Sequence, residues 1–306
     1  MSGVTVPVLF LVFQRVETTL RVMEAIREAR PSRLYVACDG PRPGDAAQAS
    51  RVEEVRRRVL SLVDWPCEIK TLFQPGNLGC KVAVSRAISW FFQHEEMGII
   101  LEDDCLPAPT FFPFCEELLE RYREDSRVMQ VCGSNLVGAG SRRGDSYFFS
   151  AYGPIWGWAS WRRAWESYDP DLVLWPKWKE EGRMKDFVLH PEELRQRSQI
   201  YDSVHAGSID TWDYQWGASK LFNSGLSIVP SRNQVVNIGF GPQATREVPR
   251  PSFAPTSIDS LSFPLRHPSC LLRERELDLD FVRKVMAPPN RYRSPFRRLW
   301  RLLCRA

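Results

Sequence analysis

Over the first 135 residues, short apolar runs alternate with segments of helical period, and few folds can accommodate that order. Val8–Phe13 is continuously apolar, as expected of a strand buried on both faces. A helix is expected over Glu17–Arg30, with Val22, Ala25, Ile26 and Ala29 on one face and Pro31 as its stop. Leu34–Cys38 is a second strand, closed by the turn Asp39-Gly40-Pro41. A charged helix (Ala46–Leu62), a strand (Glu68–Phe73) and a helix carrying Val84, Ala87, Ile88, Phe91 and Phe92 follow. Ile99–Leu101 is the fourth strand, Pro109–Arg123 a helix and Val128–Cys132 the fifth strand. The pattern predicts an α/β chain with a mostly parallel sheet covered by helices on both faces. Ligands in such sheets sit beyond the carboxyl ends of the strands, here residues 14–15, 39–40, 74–81 and 102–104.

From about residue 136 the texture changes to Gly, Ser and Trp. Eight of the 11 Trp lie between Trp156 and Trp216, more than a core of this size requires, and about half are expected to be core. Residues 249–270, rich in Pro and Ser and without period, read as a loop or linker. The net charge is +4, but residues 291–306 hold six Arg and no acid, which leaves −2 on the rest. A body of that charge is not a nucleic-acid binder. The eight Cys show no C-x-x-C and no zinc-finger spacing, and no apolar run is long enough to span a bilayer. Val6–Phe13 is too short for a signal peptide core. Reduced thiols and a cytoplasmic location are therefore expected.

Glu102-Asp103-Asp104 is the sharpest chemical signal. An acidic triplet is usually a solvated turn, but this one follows an apolar strand at the ligand edge. Adjacent carboxylates there repel one another, and a hard cation such as Mg²⁺ or Mn²⁺ would relieve them. Asp39, on the same edge, is placed to accept from a nucleotide base or ribose, although a plain β-turn fits as well. Arg15 and Lys81 could meet phosphates, although a lone base is most often surface charge, and the Gly-bearing segment Asn237–Arg246 could close over a ligand. Neither a P-loop nor a G-x-G-x-x-G fingerprint is present. Trp156-Gly157-Trp158 and Asp210-Thr211-Trp212-Asp213 set aromatics beside carboxylates, a composition suited to stacking on sugar rings.

Pro7-Val8-Leu9-Phe10-Leu11-Val12-Phe13-Gln14-Arg15, Cys38-Asp39-Gly40, Gly79-Cys80-Lys81-Val82-Ala83 and Ile99-Ile100-Leu101-Glu102-Asp103-Asp104-Cys105-Leu106-Pro107 resemble segments of nucleotide-sugar-dependent glycosyltransferases of the GT-A fold. The likeness is greatest to bacterial relatives of N-acetylglucosaminyltransferase I. Ile155-Trp156-Gly157-Trp158, Thr211-Trp212-Asp213 and Asn237-Ile238-Gly239-Phe240-Gly241 continue it in the same order, over roughly residues 6–246. The resemblance implies a nucleotide-binding half at 1–135, an acceptor half at 136–248, a linker with a short helix at 249–290 and a basic tail at 291–306. It implies a Mn²⁺ or Mg²⁺ ion on Asp104, with Asp103 near the ribose and Glu102 near the transferred sugar. Asp39 would read the base and Arg15 would meet the nucleotide, a UDP-sugar for preference. Asp213 would be the general base in transfer with inversion to a saccharide or lipid-linked acceptor. Many such enzymes place a metal-binding His near the end of the catalytic region. This chain has none, so either Asp104 suffices with water and diphosphate, or Arg246 neutralises the leaving group. A sugar-nucleotide pyrophosphorylase and an inactive sugar-binding relative are the alternatives; the former normally has a Gly-rich loop where this chain has Gln14-Arg15-Val16-Glu17.

In the tail, Phe296, Leu299, Trp300, Leu303 and Cys304 form one helical stripe and Arg297, Arg298, Arg301 and Arg305 flank it. Such a helix suits the anionic inner face of a membrane, each base contributing on the order of 1 kcal/mol. Liposome co-sedimentation of the full chain is expected to exceed that of a chain ending at Asn290, and to fall with salt. Equal binding would place the stripe against the protein's own core.

Overall fold

The computed structural model describes residues 3–240 and 249–286. The basic tail and Arg246 lie outside the described residues. The first strands and helices are β1 (Val8–Val12), α1 (Val16–Ala29), β2 (Arg33–Cys38), α2 (Ala46–Ser61), β3 (Glu68–Phe73), α3 (Cys80–His94) and β4 (Met97–Glu102). After them come β5 (Cys105–Pro107), α4 (Phe111–Arg121), β6 (Val128–Cys132), β7 (Tyr147–Ser150) and β8 (Trp158–Trp161). The remainder is α5 (Arg162–Trp165), α6 (Trp175–Glu180), α7 (Pro191–His205), α8 (Asp213–Phe222), β9 (Leu226–Pro230), β10 (Val235–Asn237) and α9 (Arg275–Phe281).

Eight strands form one mostly parallel sheet in the order β3-β2-β1-β4-β8-β6-β9-β7. Its centre is apolar on both faces. Val8, Phe10 and Val12 of β1 face a layer built on α1, α2 and α4, where Met23 joins Val22 and Ile26. Leu9 and Leu11 face the opposite layer, with Ile88 and Phe91 of α3 and Trp212 and Trp216 beside α8 and within it. Strands so enclosed carry no polar face, which is why they read as continuous runs.

The sheet is interrupted at one place. The fifth strand of the repeating pattern does not pair with the fourth; β8 lies between β4 and β6 and runs antiparallel to both. Its four residues are all buried. Trp158 fills one layer and Trp161 the other, while Ala159 and Ser160 leave room for the neighbouring strands. Trp158 stacks on Trp212 at 5.7 Å between centroids, and the Trp161 indole N–H donates to the Leu119 carbonyl at 3.0 Å. Six of the eight Trp between 156 and 216 are buried, so core packing takes more of them than expected. Despite this insertion β1, β2, β3, β4, β6 and β9 share one direction, and their carboxyl ends lie along one edge.

The Pro- and Ser-rich stretch is a loop that packs on the body: Leu261 and Leu265 are buried in the main core. Residues after it return to the sheet through α9, whose buried Asp278 accepts from the Ser150 hydroxyl at 2.5 Å. A separate cluster around Trp175, Tyr201 and Val204 holds α6, α7 and α8 together. Among the described residues no helix is long and apolar enough to cross a membrane.

Lys220 of α8 is buried, with no carboxylate partner among the described residues. Its amine donates to Gln130 Oε1 and to the Ser227 hydroxyl, and the Trp216 indole donates to the same Gln130 oxygen at 2.9 Å. Burial pushes the amine down to about 8 from an ordinary 10.5. Folding therefore penalises the protonated amine, fully below pH 8 and progressively less toward pH 10.5. Relative to Lys220→Met, the parent is expected to gain about 3 kcal/mol of unfolding free energy between those limits. Denaturant titrations of both chains across that range check it; a constant difference would contradict it.

Candidate functional site

A cavity of about 310 Å³ opens at the carboxyl ends of β1, β2 and β4. Apolar side chains such as Leu11, Ala37, Leu72 and Val84 form part of its wall, and Arg15, Asp39, Glu102 and Asp103 supply polar groups. Arg42, Gln74, Asn77 and Asp210 line it as well, and polar groups converging on an apolar wall are the make-up of a small-molecule site.

The acidic triplet is held by its neighbours on both sides. Asp103 is 4% exposed. The Arg15 guanidinium pairs with Asp103 and, at 2.8 Å, with Asp104. Immediately after the triplet, β5 pairs antiparallel with β10, and the Ile238 amide donates to the Asp104 carbonyl at 2.8 Å. This brings Gly239 so close that a Cβ there would collide with the Asp104 carboxylate and the Arg15 guanidinium. Side-chain size, rather than turn geometry, fixes glycine at that position. Burial, with the Asp104 and Asp103 charges adding, pushes Glu102 up to about 8, although part of its surface opens on the cavity. Burial pushes Asp103 up to about 6 against the pull of Arg15. The same desolvation disfavours ionised Asp213, at the head of α8, while the Thr211 hydroxyl donates to it. Asp213 lies near enough for its charge to raise Glu102.

Arg15 pairs with Asp103 and Asp104, Glu102 adjoins them, and Asp213 is near enough to act on Glu102; this excess of carboxylate over base fits a divalent cation. Oxygen donors on one or two carboxylates, completed by ligand phosphate, suit Mg²⁺ or Mn²⁺. Among the described residues no three His, Cys, Asp or Glu side chains converge to hold an ion by themselves.

The other sequence candidates are placed differently. Asp39 does line the cavity, but its oxygens are filled by the protein. They accept from the amides of Gly40 (2.8 Å), Leu78 (2.9 Å) and Gly79 (3.2 Å) and from Asn77 Nδ2 (2.9 Å). A nucleobase N–H would have to displace one of these donors. Gly40 permits the arrangement, since a Cβ there would strike the Gly76 backbone. Lys81 does not line the cavity; its amine bonds Asp171 at 2.7 Å. Asp210 accepts from the amides of Cys80 and Lys81, both at 2.9 Å, and so caps the start of α3 across 130 residues of chain. Arg56 was not distinguishable in the sequence from the other bases of α2. Its guanidinium donates to the carbonyls of Asp39 (3.1 Å) and Gln74 (2.7 Å) and ties two strand ends together. No pattern signals such a residue, because its partners are backbone atoms.

No family model matches the chain. It is similar to an alpha-1,3-mannosyl-glycoprotein 2-beta-N-acetylglucosaminyltransferase of Arabidopsis thaliana, with 30% identity over 123 residues. That stretch is 37% of this chain and only 27% of the plant protein's length. Among solved structures it overlaps the mannosyltransferase PcManGT of Pyrobaculum calidifontis, in complex with GDP-Man and Mn²⁺ (TM-score 0.32, 13% identity, 52% of this chain and 45% of that one). It also overlaps HddC of Yersinia pseudotuberculosis (TM-score 0.34, 10% identity, 56% of this chain and 86% of that one). Superpositions this partial place no residue of the present chain in a role.

Asp210→Ala is expected to cost about 1 kcal/mol in denaturant unfolding, the usual cost of losing a helix cap. Asp213→Asn is expected to change stability by less than about 0.5 kcal/mol or to raise it, because burial already disfavours its charge. Equal losses at both positions would make Asp213 a structural residue.

Proposed function

We propose that the protein is a nucleotide-sugar-dependent glycosyltransferase of GT-A type that transfers with inversion. The observation that carries this reading is the half-buried carboxylate of Asp213, near enough for its charge to act on Glu102, which lines a cavity together with Arg15, Asp39 and Asp103. The partial likeness to the Arabidopsis N-acetylglucosaminyltransferase supports the same class.

On this reading the nucleoside lies along the Asp39 and Asn77 end of the cavity, and the diphosphate meets the Arg15 guanidinium. A divalent cation held by Asp104 and phosphate oxygens would supply further stabilisation of the departing charge. Asp213 takes the proton of the acceptor hydroxyl, whose oxygen bonds the anomeric carbon as the bond to the diphosphate breaks. The desolvation that raises its pKa makes Asp213 a better base than an exposed aspartate, provided it is ionised at the working pH. Glu102, which lines the cavity beside Asp103, would lie close to the transferred sugar. UDP-sugars are the favoured donors, and a saccharide hydroxyl is the acceptor.

Two variants test the roles separately. Asp104→Asn is expected to weaken Mn²⁺-dependent UDP binding at least about tenfold in calorimetry, one carboxylate oxygen contact being lost. Asp213→Asn is expected to slow transfer, or hydrolysis of the UDP-sugar, by about 100-fold or more with UDP affinity unchanged. Loss of UDP affinity at Asp213 would remove it as base. Formation of UDP-sugar from UTP and a sugar phosphate would make the protein a nucleotidyltransferase instead.

A further inference from the structure

A second cavity, of about 700 Å³, lies on the same sheet edge as the first, where residues 135–138 leave β6 and residues 231–233 leave β9. β8 separates the strands that frame the two. Its frame is pinned by two asparagines. Asn233 Oδ1 accepts from the Asn135 amide at 3.0 Å, and Asn233 Nδ2 donates to the Ser257 carbonyl at 2.8 Å. Asn135 Nδ2 donates to the Pro230 carbonyl at 2.8 Å. A wall held this way is formed before any ligand arrives.

The charge in this cavity is opposite to that of the first. Arg232, Arg283 and Lys284 line it against one carboxylate, Asp259. Arg232 is exposed and makes no ion pair among the described residues. Arg283 shares Asp280 at 3.3 Å with its side chain 67% exposed. The Lys284 amine donates to the Val137 carbonyl, which fixes it at the wall without neutralising it. Three cations, two of them forked guanidiniums, favour a dianion, and bidentate contact with phosphate is what such forks provide.

The buried strand β10 lies between the two cavities. From Asn233 to Asn237 the extended chain covers about 13 Å, and the next residue, Ile238, bonds the Asp104 carbonyl at 2.8 Å.

We infer that this second cavity binds the phosphate of a phosphate-bearing saccharide. Its use as an acceptor subsite rests on the glycosyltransferase reading; the binding itself does not. The phosphate could sit at the reducing end of the sugar, as in a glycosyl phosphate, or on a primary hydroxyl.

Calorimetry on the full chain distinguishes these, with glucose 1-phosphate, glucose 6-phosphate, glucose and glucuronate as probes. Each is titrated without nucleotide and again with saturating UDP and Mn²⁺, which fill the first cavity. At least one sugar phosphate is expected to bind about tenfold more tightly than glucose or glucuronate, and the tighter of the two shows where the phosphate sits. In the double variant R232A/R283A that affinity is expected to fall about tenfold while UDP binding is unchanged, which also reports that the variant is folded. Equal binding of glucose or glucuronate would overturn the inference, as would an unaffected double variant or displacement of the sugar phosphate by UDP. Absence of UDP binding would instead count against the glycosyltransferase reading and leave the sugar phosphate result standing on its own.

Discussion

The candidate site depends on one guanidinium. Arg15 pairs with both Asp103 and Asp104, and among the described residues it is the one base paired with an acidic triplet that a strand end has carried out of bulk water. Taking a carboxylate into such a place is costly unless a partner and hydrogen bonds meet it. One positive charge against Glu102, Asp103, Asp104 and Asp213 does not suffice, and the excess appears in the raised values of Glu102 and Asp103. A site poised in this way is stabilised by whatever positive charge a ligand brings. The surrounding fold keeps it closed: β10 pairs with β5, and Gly239 lets that backbone come down on the ion pair.

Charge is divided along the sheet edge rather than mixed. The acidic site lies at the ends of β1, β2 and β4, and the basic cavity lies beyond β8, at the ends of β6 and β9. Between them stands the strand with a tryptophan in each layer. Trp158 and Trp161 bury large rings on opposite faces, so β8 stays fixed between two antiparallel neighbours although it is only four residues long. The placement of β8 keeps the two charged regions apart.

Much of the polar chemistry near the site serves the protein itself. Asp39 and Asp210 both accept from backbone amides around residues 78–81, one from the end of β2 and the other from the loop before α8. Arg56 secures the carbonyls of Asp39 and Gln74 from the opposite layer. Together these three side chains shape the rim of the first cavity, and the Lys81–Asp171 pair ties the same helix start to the loop that precedes α6. The rim is therefore a meeting place of both halves of the chain.

The sequence by itself determined the first four strands, their covering helices and the arrival of three carboxylates at a strand end. These depend on local period: a strand with both faces buried must be apolar throughout, and a helix must repeat its apolar positions every three or four residues. The tertiary structure alone decided that Trp158–Trp161 enters between β4 and β6, because a four-residue run has no period to read. It alone decided that Asp39 and Asp210 bind amides, that Lys81 turns to Asp171 and that Lys220 is buried on Gln130. A carboxylate or an amine has the same chemistry toward a backbone group as toward a ligand. Which of the two it meets is set by residues that folding brings from up to 130 positions away.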